Sequence, residues 1–449
     1  MIDLDVAIVG GGFSGSAVAA QLARHAPDGF SVRIFEPSEL GRGAAYGTRH
    51  AEHLLNTRAA GMSMFPDDPE HFVRWLGRRA DRAAFVPRRL YGDYVAEIAR
   101  RALERPHFRL VNGRVRAIRR SGRGFVVESA AGSRIEARAV VLATGNALPA
   151  DHFLPAEVTA HPGYVGDPWR YDYRSVGGHV LLIGSGLTAL DVLVALRASG
   201  HRGIVHIISR HGRYPAVHAD VAPYDVIPAL DARDARSVLR GFRRHVAEAC
   251  LRGFDWRSVV DAVRPESESI WRRLPPLERR RFERHLRTHW ERHRHRAPEQ
   301  VDAVRDVYAR SGKAITYAGR LAALQRGCAR IALNDGTTVT LRPDWIVNCS
   351  GVGGVRVMAR DPLIEGMLAD GIVSAETRGL GLRTTWELAS IDASGTPVEG
   401  LWIVGPPVRG SRFEATAVPE LRVMAELAAS EILASLRGNT APMSLAAQA

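Results

Sequence analysis

The sequence has 449 residues, of which 46% are hydrophobic and 24% charged, and it contains 43 glycines and 24 prolines. It is too long for one typical core and too apolar for a disordered chain, so we expect two domains. The three cysteines, Cys250, Cys328 and Cys349, are far apart and form no CxxC pair, which excludes a disulfide framework, a zinc cage and a dithiol reductase.

The formal net charge of +13 comes almost entirely from arginine, since Lys313 is the only lysine. Eleven Arg and five Glu fall within residues 264–296. A solvated helix surface is the favoured interpretation of this stretch, ahead of an anion or cofactor-phosphate site, and we expect no nucleic-acid partner.

The opening sequence MIDLDVAIVGGG has no basic region and its apolar run soon ends in glycines. It predicts neither a signal peptide nor a membrane span, so we expect a cytoplasmic protein without a membrane partner.

The first 36 residues have the pattern of a strand, a glycine turn, a helix and a second strand. An apolar run at residues 6–9 precedes GGGFSG, an alanine-rich helix follows, and the second strand ends at Glu36. In this GxGxxG pattern Gly10 makes the turn, Gly12 lets the backbone approach a pyrophosphate, and Gly15 allows close packing of helix on strand. Glu36 can accept hydrogen bonds from a ribose, so the pattern predicts a dinucleotide site.

The same pattern recurs after residue 180. A strand predicted over residues 180–183 leads into Gly184 and Gly186, and Ala189 replaces the third glycine before an apolar helix. The next strand is followed by Arg210 instead of ending at an acid. An acid would repel a 2′-phosphate, whereas a guanidinium can bind it, which favours NADPH over NADH. An exposed loop arginine without this role is the alternative for Arg210.

A longer internal repeat supports two nucleotide domains. Residues 113–145 and residues 319–351 have the same pattern in the same register: three strands of a meander, then a buried strand that ends in a turn of small residues. Between about residues 212 and 312 the strand signals disappear, and a charged, proline-interrupted helical segment is predicted as an insertion in the second domain.

The predicted insertion contains two features of possible functional interest. His285, His289 and His293 have a four-residue spacing that would put them on one helix face, but no carboxylate or fourth ligand accompanies them, so we predict no metal site. Because the insertion follows the strand before Arg210, we expect it to cover the cleft between the two nucleotide domains, where it could reach the nicotinamide and substrate. Arg294 and Arg296 would then attract NADPH or an acidic substrate.

These motifs resemble the two-dinucleotide-binding-domain flavoproteins, which include glutathione-reductase-like enzymes and flavin-containing and N-hydroxylating monooxygenases. Within that group the chain is similar to a bacterial FAD-NAD(P)-binding protein family. The resemblance covers nearly the whole chain and implies an α/β fold of two Rossmann-like dinucleotide-binding domains, with a helical insertion in the second. The FAD-binding domain would comprise residues 1–172 and 352–449, and the NAD(P)H-binding domain residues 173–351. The runs that carry the resemblance are GRGAAYG at 41–47, HLLN at 53–56, MSMFPDD at 62–68, PRRLYGDY at 87–94 and HRHR at 293–296.

The resemblance implies FAD contacts from both ends of the chain. It places Arg42 and Asn56 near the pyrophosphate or flavin, and Val115 against the adenine. Thr416 and Ala417 would begin a helix whose free amides face the pyrimidine edge of the flavin, where negative charge accumulates on reduction. Asn56 is also the candidate catalytic residue. The full set of candidate cofactor-binding residues is Gly10, Gly12, Phe13, Ser14, Gly15, Glu36, Arg42, Asn56, Val115, Thr144, Gly145, Gly184, Gly186, Leu187, Thr188, Arg210, Gly405, Thr416 and Ala417.

With FAD and NADPH implied and no dithiol motif, reduced flavin must pass its electrons to oxygen, to a small organic acceptor or to a protein. The resemblance favours a monooxygenase, for example an amine N-hydroxylase, in which molecular oxygen forms a C4a-hydroperoxyflavin that oxygenates a small-molecule substrate. The alternatives are a flavin-dependent reductase or dehydrogenase, and a non-enzymatic nucleotide-sensing protein. The sequence leaves the substrate and the oligomeric state open.

Overall fold

The computed structural model describes residues 4–122 and 124–438, which divide into two compact units. The first unit contains the described residues up to 47, residues 58–147 and those from 353 onward; the second contains residues 48–57 and 148–352. The ends of the predicted FAD domain, residues 1–3 and 439–449, lie outside the described residues. Residues 48–57, 148–172 and 352, which the sequence analysis placed with the first domain, group with the second unit by their contacts.

The elements are numbered in chain order. The strands are β1 Leu4–Val9, β2 Val32–Glu36, β3 Phe108–Asn112, β4 Val115–Ser121, β5 Gly124–Ser129, β6 Arg134–Leu142, β7 Tyr164–Val165, β8 Val180–Ile183, β9 Val205–Ser209, β10 Ala314–Gln325, β11 Cys328–Leu333, β12 Thr338–Leu341, β13 Trp345–Asn348, β14 Ala389–Ile391 and β15 Pro397–Ile403. The α-helices are α1 Phe13–His25, α2 Gly43–Tyr46, α3 His71–Leu76, α4 Arg88–Ala102, α5 Ala156–Thr159, α6 Leu187–Ala198, α7 Ala235–Leu251, α8 Trp256–Val263, α9 Ser267–Arg273, α10 Pro276–His285, α11 Arg287–Arg294, α12 Glu299–Arg310, α13 Val355–Met358, α14 Pro362–Ala369 and α15 Val418–Gly438.

The first unit is built on a sheet with the strand order β14-β15-β6-β1-β2-β3, in which β1 lies parallel to both β2 and β6. The antiparallel strands β4 and β5 extend from β6. Residues 6–9 of β1 are buried, as expected for a central parallel strand covered on both faces. Helix α1 packs against α4 and α15. The sheet and its helices place the carboxyl ends of β1, β2 and β6 together beside the glycine turn.

The second unit repeats this plan. Its sheet has the order β12-β11-β10-β9-β8-β13-β7, with parallel pairing from β10 through β7 and antiparallel pairing among β10, β11 and β12. Residues 148–172 belong here because β7 pairs with β13. Helix α12 packs against α6 as α4 packs against α1. The structure therefore shows an α/β fold with two Rossmann-like modules.

The two copies differ in where the meander joins the parallel sheet. In the first unit β6 is one continuous strand that pairs with β5 near its start and with β1 near its end. In the second unit the fused strand is β10, which pairs with β9 up to Ala318 and with β11 from Gly319 onward, with an irregularity between Leu321 and Ala323. The expectation of a third meander strand separate from the buried strand is wrong in the first copy, because residues 134–142 form one long twisted strand that pairs with both β5 and β1. In the second copy β12 and β13 are separate as predicted, and β10 begins at Ala314, before the predicted repeat.

The segment between β9 and β10 is helical as predicted, but it corrects two expectations about the insertion. Helix α10 ends at His285 and α11 begins at Arg287, so His285 and His289 do not share a helix face. Arg294 and Arg296 are only 6% and 5% exposed. They are therefore not on the solvated helix surface that the sequence analysis favoured, because the chain folds inward where α11 ends at Arg294. The last helix, α12, belongs to the parallel core, which leaves α7 to α11 as the inserted elements.

Among residues 4–122 and 124–438, no helix combines the length and apolar character that a bilayer crossing requires.

Candidate functional site

The first glycine motif forms a tight turn between β1 and α1. Gly10 has φ +104°, and a Cβ there would clash with the carbonyl oxygen of Ala143. A Cβ at Gly15 would clash with the carbonyl oxygen of Gly10. These two glycines are therefore required by the close approach of backbone to backbone. Gly10 and Gly15 therefore share the close-packing role that the sequence analysis gave to Gly15 alone.

Gly12 has a different environment, which fits a pyrophosphate. It is the N-cap of α1, with φ −69°, and a Cβ there would come no closer than 3.4 Å to its nearest neighbour, the Cα of Gly43. Helix α1 has no side-chain cap and no acidic residue in its first turn. Its first amides and its partial positive charge are available to an anion beside two facing glycines. Gly43, which the sequence analysis did not select, could have been found in the GRGAAYG run.

Glu36 lies at the end of β2 and is 7% exposed. Its Oε2 accepts a hydrogen bond from the amide of Gly11 at 2.8 Å, and its Oε1 accepts from the amide and hydroxyl of Ser38 at 2.9 and 2.5 Å. The carboxylate thus ties the glycine turn to the end of β2. Each carboxylate oxygen can accept more than one hydrogen bond, so a ribose hydroxyl remains a possible additional donor.

The guanidinium of Arg42 points into the protein. Its Nε lies 3.0 Å from Glu39 Oε1, its Nη1 lies 2.8 Å from the carbonyl oxygen of Arg89, and its Nη2 lies 2.6 Å from Asp93 Oδ1. Arg42 immediately precedes Gly43, so its backbone lies at the turn that faces Gly12. Its side chain positions that turn against α4.

Several other predicted residues of the first site also belong to the first unit. Phe13 packs its ring against Tyr91 at 6.3 Å between centroids, and Ser14 is buried beside Gly405, where a Cβ would clash with the Ser14 hydroxyl. Val115 is 2% exposed at the start of β4. The remaining pair, Thr144 and Gly145, follows β6, and Gly145 has φ +76° with open space around it.

The start of α15 differs from the expectation of free amides. The amides of Thr416 and Ala417 donate to the carbonyl oxygen of Glu414 at 2.6 and 3.2 Å. Glu414 has φ +54°, a left-handed conformation that is rare for a residue with a side chain. This conformation turns its carbonyl toward the two amides, so the predicted free donors at 416 and 417 are wrong for this geometry.

The second glycine motif reproduces the first. Gly184 has φ +118°, and a Cβ there would clash with the carbonyl oxygen of Cys349. Gly186 caps α6 with φ −80°, and a Cβ there would have no neighbour within 4 Å. Helix α6 also lacks a side-chain cap and a first-turn acid. Its first turn, with Leu187 and Thr188, is therefore a second open helix start that fits a pyrophosphate.

Arg210 follows β9, where the sequence analysis placed it. It is exposed, and its Nη2 lies 3.4 Å from the hydroxyl oxygen of Thr288. Ser185, inside the glycine motif, lies 2.8 Å from the hydroxyl of Ser209 and 2.6 Å from the carbonyl oxygen of Arg213. The turn that carries Arg210 is thereby held against the glycine motif.

Asn56 lies in the short segment 48–57 of the second unit. The segment is anchored by His53, which is 1% exposed and whose Nε2 lies 3.0 Å from the carbonyl oxygen of Asp191. The carbonyl oxygen of Asn56 lies 3.0 Å from Nε2 of His218. The sequence analysis did not select His218, since it stands in a stretch without periodic pattern. In the structure it contacts the backbone of the candidate catalytic residue.

The cysteines and possible metal ligands complete the inventory of reactive groups. All three cysteines belong to the second unit, and burial raises the pKa of the Cys349 thiol well above its usual range. The described residues contain no cluster of three or more His, Cys, Asp or Glu side chains that could hold a metal ion. The two glycine motifs, each followed by an open helix start at Gly12 or Gly186, are called the glycine cradles below. They are the candidate binding features of the described residues.

The fold and the two glycine turns define a protein with two Rossmann-like dinucleotide-binding modules. Residues 7–147 match a family model described as FAD-NAD(P)-binding. The chain therefore carries an FAD-NAD(P)-binding domain, and the first glycine motif lies inside it. A search of curated proteins found no match.

Solved structures extend this likeness to nearly the whole chain. The flavin-containing monooxygenase from Stenotrophomonas maltophilia is 18% identical with a TM-score of 0.59, and the match covers 97% of this chain and 100% of that chain. Ornithine hydroxylase from Pseudomonas aeruginosa, in its reduced form, is 17% identical with a TM-score of 0.60 over 97% and 100% of the chains. A bacillithiol disulfide reductase from Bacillus cereus is 16% identical with a TM-score of 0.55 over 97% and 99%. These matches show a shared fold.

Proposed function

We propose that the protein is an FAD-dependent oxidoreductase that oxidises NADPH and inserts one atom of molecular oxygen into a small molecule, with amine N-hydroxylation as the favoured reaction. The observation that carries the proposal is the pair of open glycine cradles, one at each sheet, in a chain whose cysteines all lie away from the first unit. Two dinucleotides can bind, and no dithiol accompanies the first site.

The residues have distinct parts in this function. The start of α1, with Gly12 and Gly43, binds the FAD pyrophosphate, and Glu36 holds the turn in shape. The start of α6, with Gly186, binds the pyrophosphate of NADPH, and Arg210 selects the phosphorylated ribose. Bound FAD supplies hydride acceptance and oxygen activation, and the protein supplies binding, orientation and exclusion of water.

The structural neighbours support oxygen insertion because a flavin-containing monooxygenase and an ornithine hydroxylase share the fold. A disulfide reductase shares it as well, so a flavin-dependent reductase without oxygen insertion is the second candidate. The insertion gives little support to an acidic substrate. Arg287 lies between Glu283 and Glu291 at 2.8 and 2.7 Å, so its charge is already compensated.

Stopped-flow spectroscopy tests the function. The FAD-loaded protein is reduced with NADPH without oxygen and then mixed with aerated buffer. A monooxygenase shows a transient absorbance that belongs to neither oxidised nor reduced flavin, and it incorporates ¹⁸O from labelled oxygen into an accepted amine. Direct return to oxidised flavin without label in any product favours the reductase. If neither NADPH nor NADH reduces the bound flavin, both the monooxygenase and the reductase candidates are overturned.

A further inference from the structure

Trp75 and Tyr94 form a close aromatic pair in the first unit. Trp75, on α3, is half-buried, whereas Tyr94, on α4, is fully buried. Their ring centroids are 5.5 Å apart, and the ring of Phe72 packs against both, at 6.0 and 4.8 Å. An electron can pass between rings this close, because the probability of tunnelling decays exponentially with the distance between them. The pair therefore connects the partly exposed side of α3 with the interior of the unit.

The hydroxyl of Tyr94 faces a proton acceptor. The amide of Met64 donates to the Tyr94 hydroxyl oxygen at 3.2 Å, which leaves the O–H of Tyr94 to donate to Nδ1 of His71 at 2.9 Å. Burial lowers the pKa of His71, so its ring is neutral near pH 7 and Nδ1 can accept a proton. The distance lies within the range over which a positioned base takes a proton.

The indole of Trp75 has a proton acceptor of its own. Its Nε1 donates to Glu97 Oε2 at 2.7 Å. The guanidinium of Arg79 lies over the ring, 3.9 Å from its centroid. A cation in this position disfavours a positively charged indole radical. Loss of an electron from Trp75 is therefore coupled to transfer of its Nε1 proton to Glu97.

Tyr91 shows why an electron vacancy stops at Tyr94. The ring of Tyr91 is fully buried and lies 5.6 Å from that of Tyr94. Within residues 4–122 and 124–438, the hydroxyl of Tyr91 has no hydrogen-bond partner. Oxidation of Tyr91 would leave its proton without an acceptor and a charged phenol radical in an apolar interior, which is costly. Tyr94 is the buried phenol of this pair that can lose an electron and a proton together.

We propose that Trp75, Tyr94 and His71 form a radical trap, which takes up the oxidising equivalent of an oxygen-derived radical at the surface and stores it in the interior. The radical takes one electron from Trp75 and becomes its anion, while the indole proton moves to Glu97. Trp75 then regains an electron from Tyr94 and its proton from Glu97. The phenolic proton of Tyr94 moves to Nδ1 of His71. In sum, Tyr94 becomes a neutral phenoxyl radical and His71 an imidazolium.

The direction and the benefit of the trap follow from the chemistry of the two rings. An indole radical is the stronger oxidant, so the electron moves from the phenol to the indole. An exposed indole radical combines irreversibly with oxygen, whereas a buried phenoxyl radical persists until a thiol in solution returns an electron through Trp75 and His71 returns the proton. The trap needs neither a bound cofactor nor the proposed oxygen insertion.

Pulse radiolysis with azide radicals tests the trap in the full-length protein, because these radicals oxidise indole rings by one electron without turnover. The indole-radical absorbance should decay as the phenoxyl-radical absorbance grows, at a rate independent of protein concentration. A freeze-quenched sample should show the electron paramagnetic resonance signal of a tyrosyl radical. W75F and Y94F should each remove this phase of phenoxyl formation. H71L should slow it by about a hundred-fold, the contribution typical of a positioned base, and D₂O should slow it in the unaltered protein.

Two matched variants control for general effects. Trp256, in the second unit, is half-buried and also lies under an arginine, since the guanidinium of Arg257 is 4.6 Å from its ring centroid. W256F therefore removes a comparable indole. Y173F removes a fully buried phenol that donates to the carbonyl oxygen of Pro168 at 2.8 Å. Both variants should leave the phase unchanged.

Three results would overturn the inference. An unchanged phase in Y94F or W75F would mean that these rings are only a packed core, and an equal loss in W256F or Y173F would show a general effect of removing an aromatic ring. Identical rates in D₂O and water would contradict proton transfer to His71, and this measurement does not depend on the folding of any variant.

Discussion

Single glycines in the first motif have separable tasks. Gly15 is required by the fold, because a methyl group there would collide with the Gly10 carbonyl and the turn cannot yield. Gly12 has ordinary φ and only a 3.4 Å contact with Gly43, so the fold tolerates a methyl group that a bound pyrophosphate would not. Substitution by alanine should therefore reduce stability at Gly15 and FAD binding at Gly12.

G12A should weaken FAD binding by at least about ten-fold, or ~1.4 kcal/mol, while the FAD-free protein keeps its unfolding temperature. G15A should destabilise the FAD-free protein by about 1–3 kcal/mol through overpacking. Fluorescence titration with FAD and thermal unfolding measure the two effects. G366A, on helix α14 with open space around the glycine, is the matched control. It should lower neither the affinity for FAD nor the unfolding temperature. Normal FAD affinity in G12A would show that the pyrophosphate lies elsewhere.

At the scale of elements, the insertion contains an ion pair in which one side chain is buried and the other is about half exposed. Arg296 Nη2 lies 2.5 Å from Asp261 Oδ1 on α8, and the two side chains are 6% and 48% exposed. The arginine is therefore almost dehydrated and depends on its partner, whereas the carboxylate can be hydrated. Removal of Asp261 would leave a buried charge without compensation, which is the costly way to break such a pair.

D261A should lower the free energy of unfolding by about 3 kcal/mol, with FAD content unchanged because the substitution lies in the second unit. D225A breaks a pair with Arg252 in which both side chains are about half exposed, at 59% and 45%, and should cost less than about 1 kcal/mol. Denaturant unfolding monitored by tryptophan fluorescence compares the two variants. Equal losses would mean that Arg296 is stabilised by other groups.

At the scale of the whole molecule, each unit contains one cradle, so the two dinucleotides should stabilise different parts of the chain. A ligand present at 100 times its Kd stabilises the unit that binds it by about 2.7 kcal/mol and slows local opening there. The proposed division of cofactors thus has a spatial signature that does not depend on turnover.

Hydrogen exchange measured by mass spectrometry should show this signature. FAD added to the FAD-free protein should protect residues 10–15 and 36–43, and NADP⁺ added afterwards should protect residues 184–190 and the turn at 210–213. NAD⁺ at the same concentration is the comparison for the second step and should protect less. Protection of residues 184–190 by FAD alone would reverse the proposed assignment of the two units.

The sequence by itself determined the features that depend on neighbouring residues. Gly10, Gly15 and Gly184 follow from local backbone geometry, since a strand, a tight turn and a helix within a few residues impose the same steric demand wherever they occur. The internal repeat likewise identified two copies of one module. The exact strand boundaries in β6 and β10 were not predictable, because fusion of two strands depends on partners far along the chain.

Only the tertiary structure decided how side chains distant in sequence are used. It directs Arg42 toward Asp93, buries Arg296 against Asp261, and brings the carbonyl of Asn56 to His218. The physical reason is that charge, burial and hydrogen bonding act through space, so a guanidinium acquires its role from the groups around it after folding.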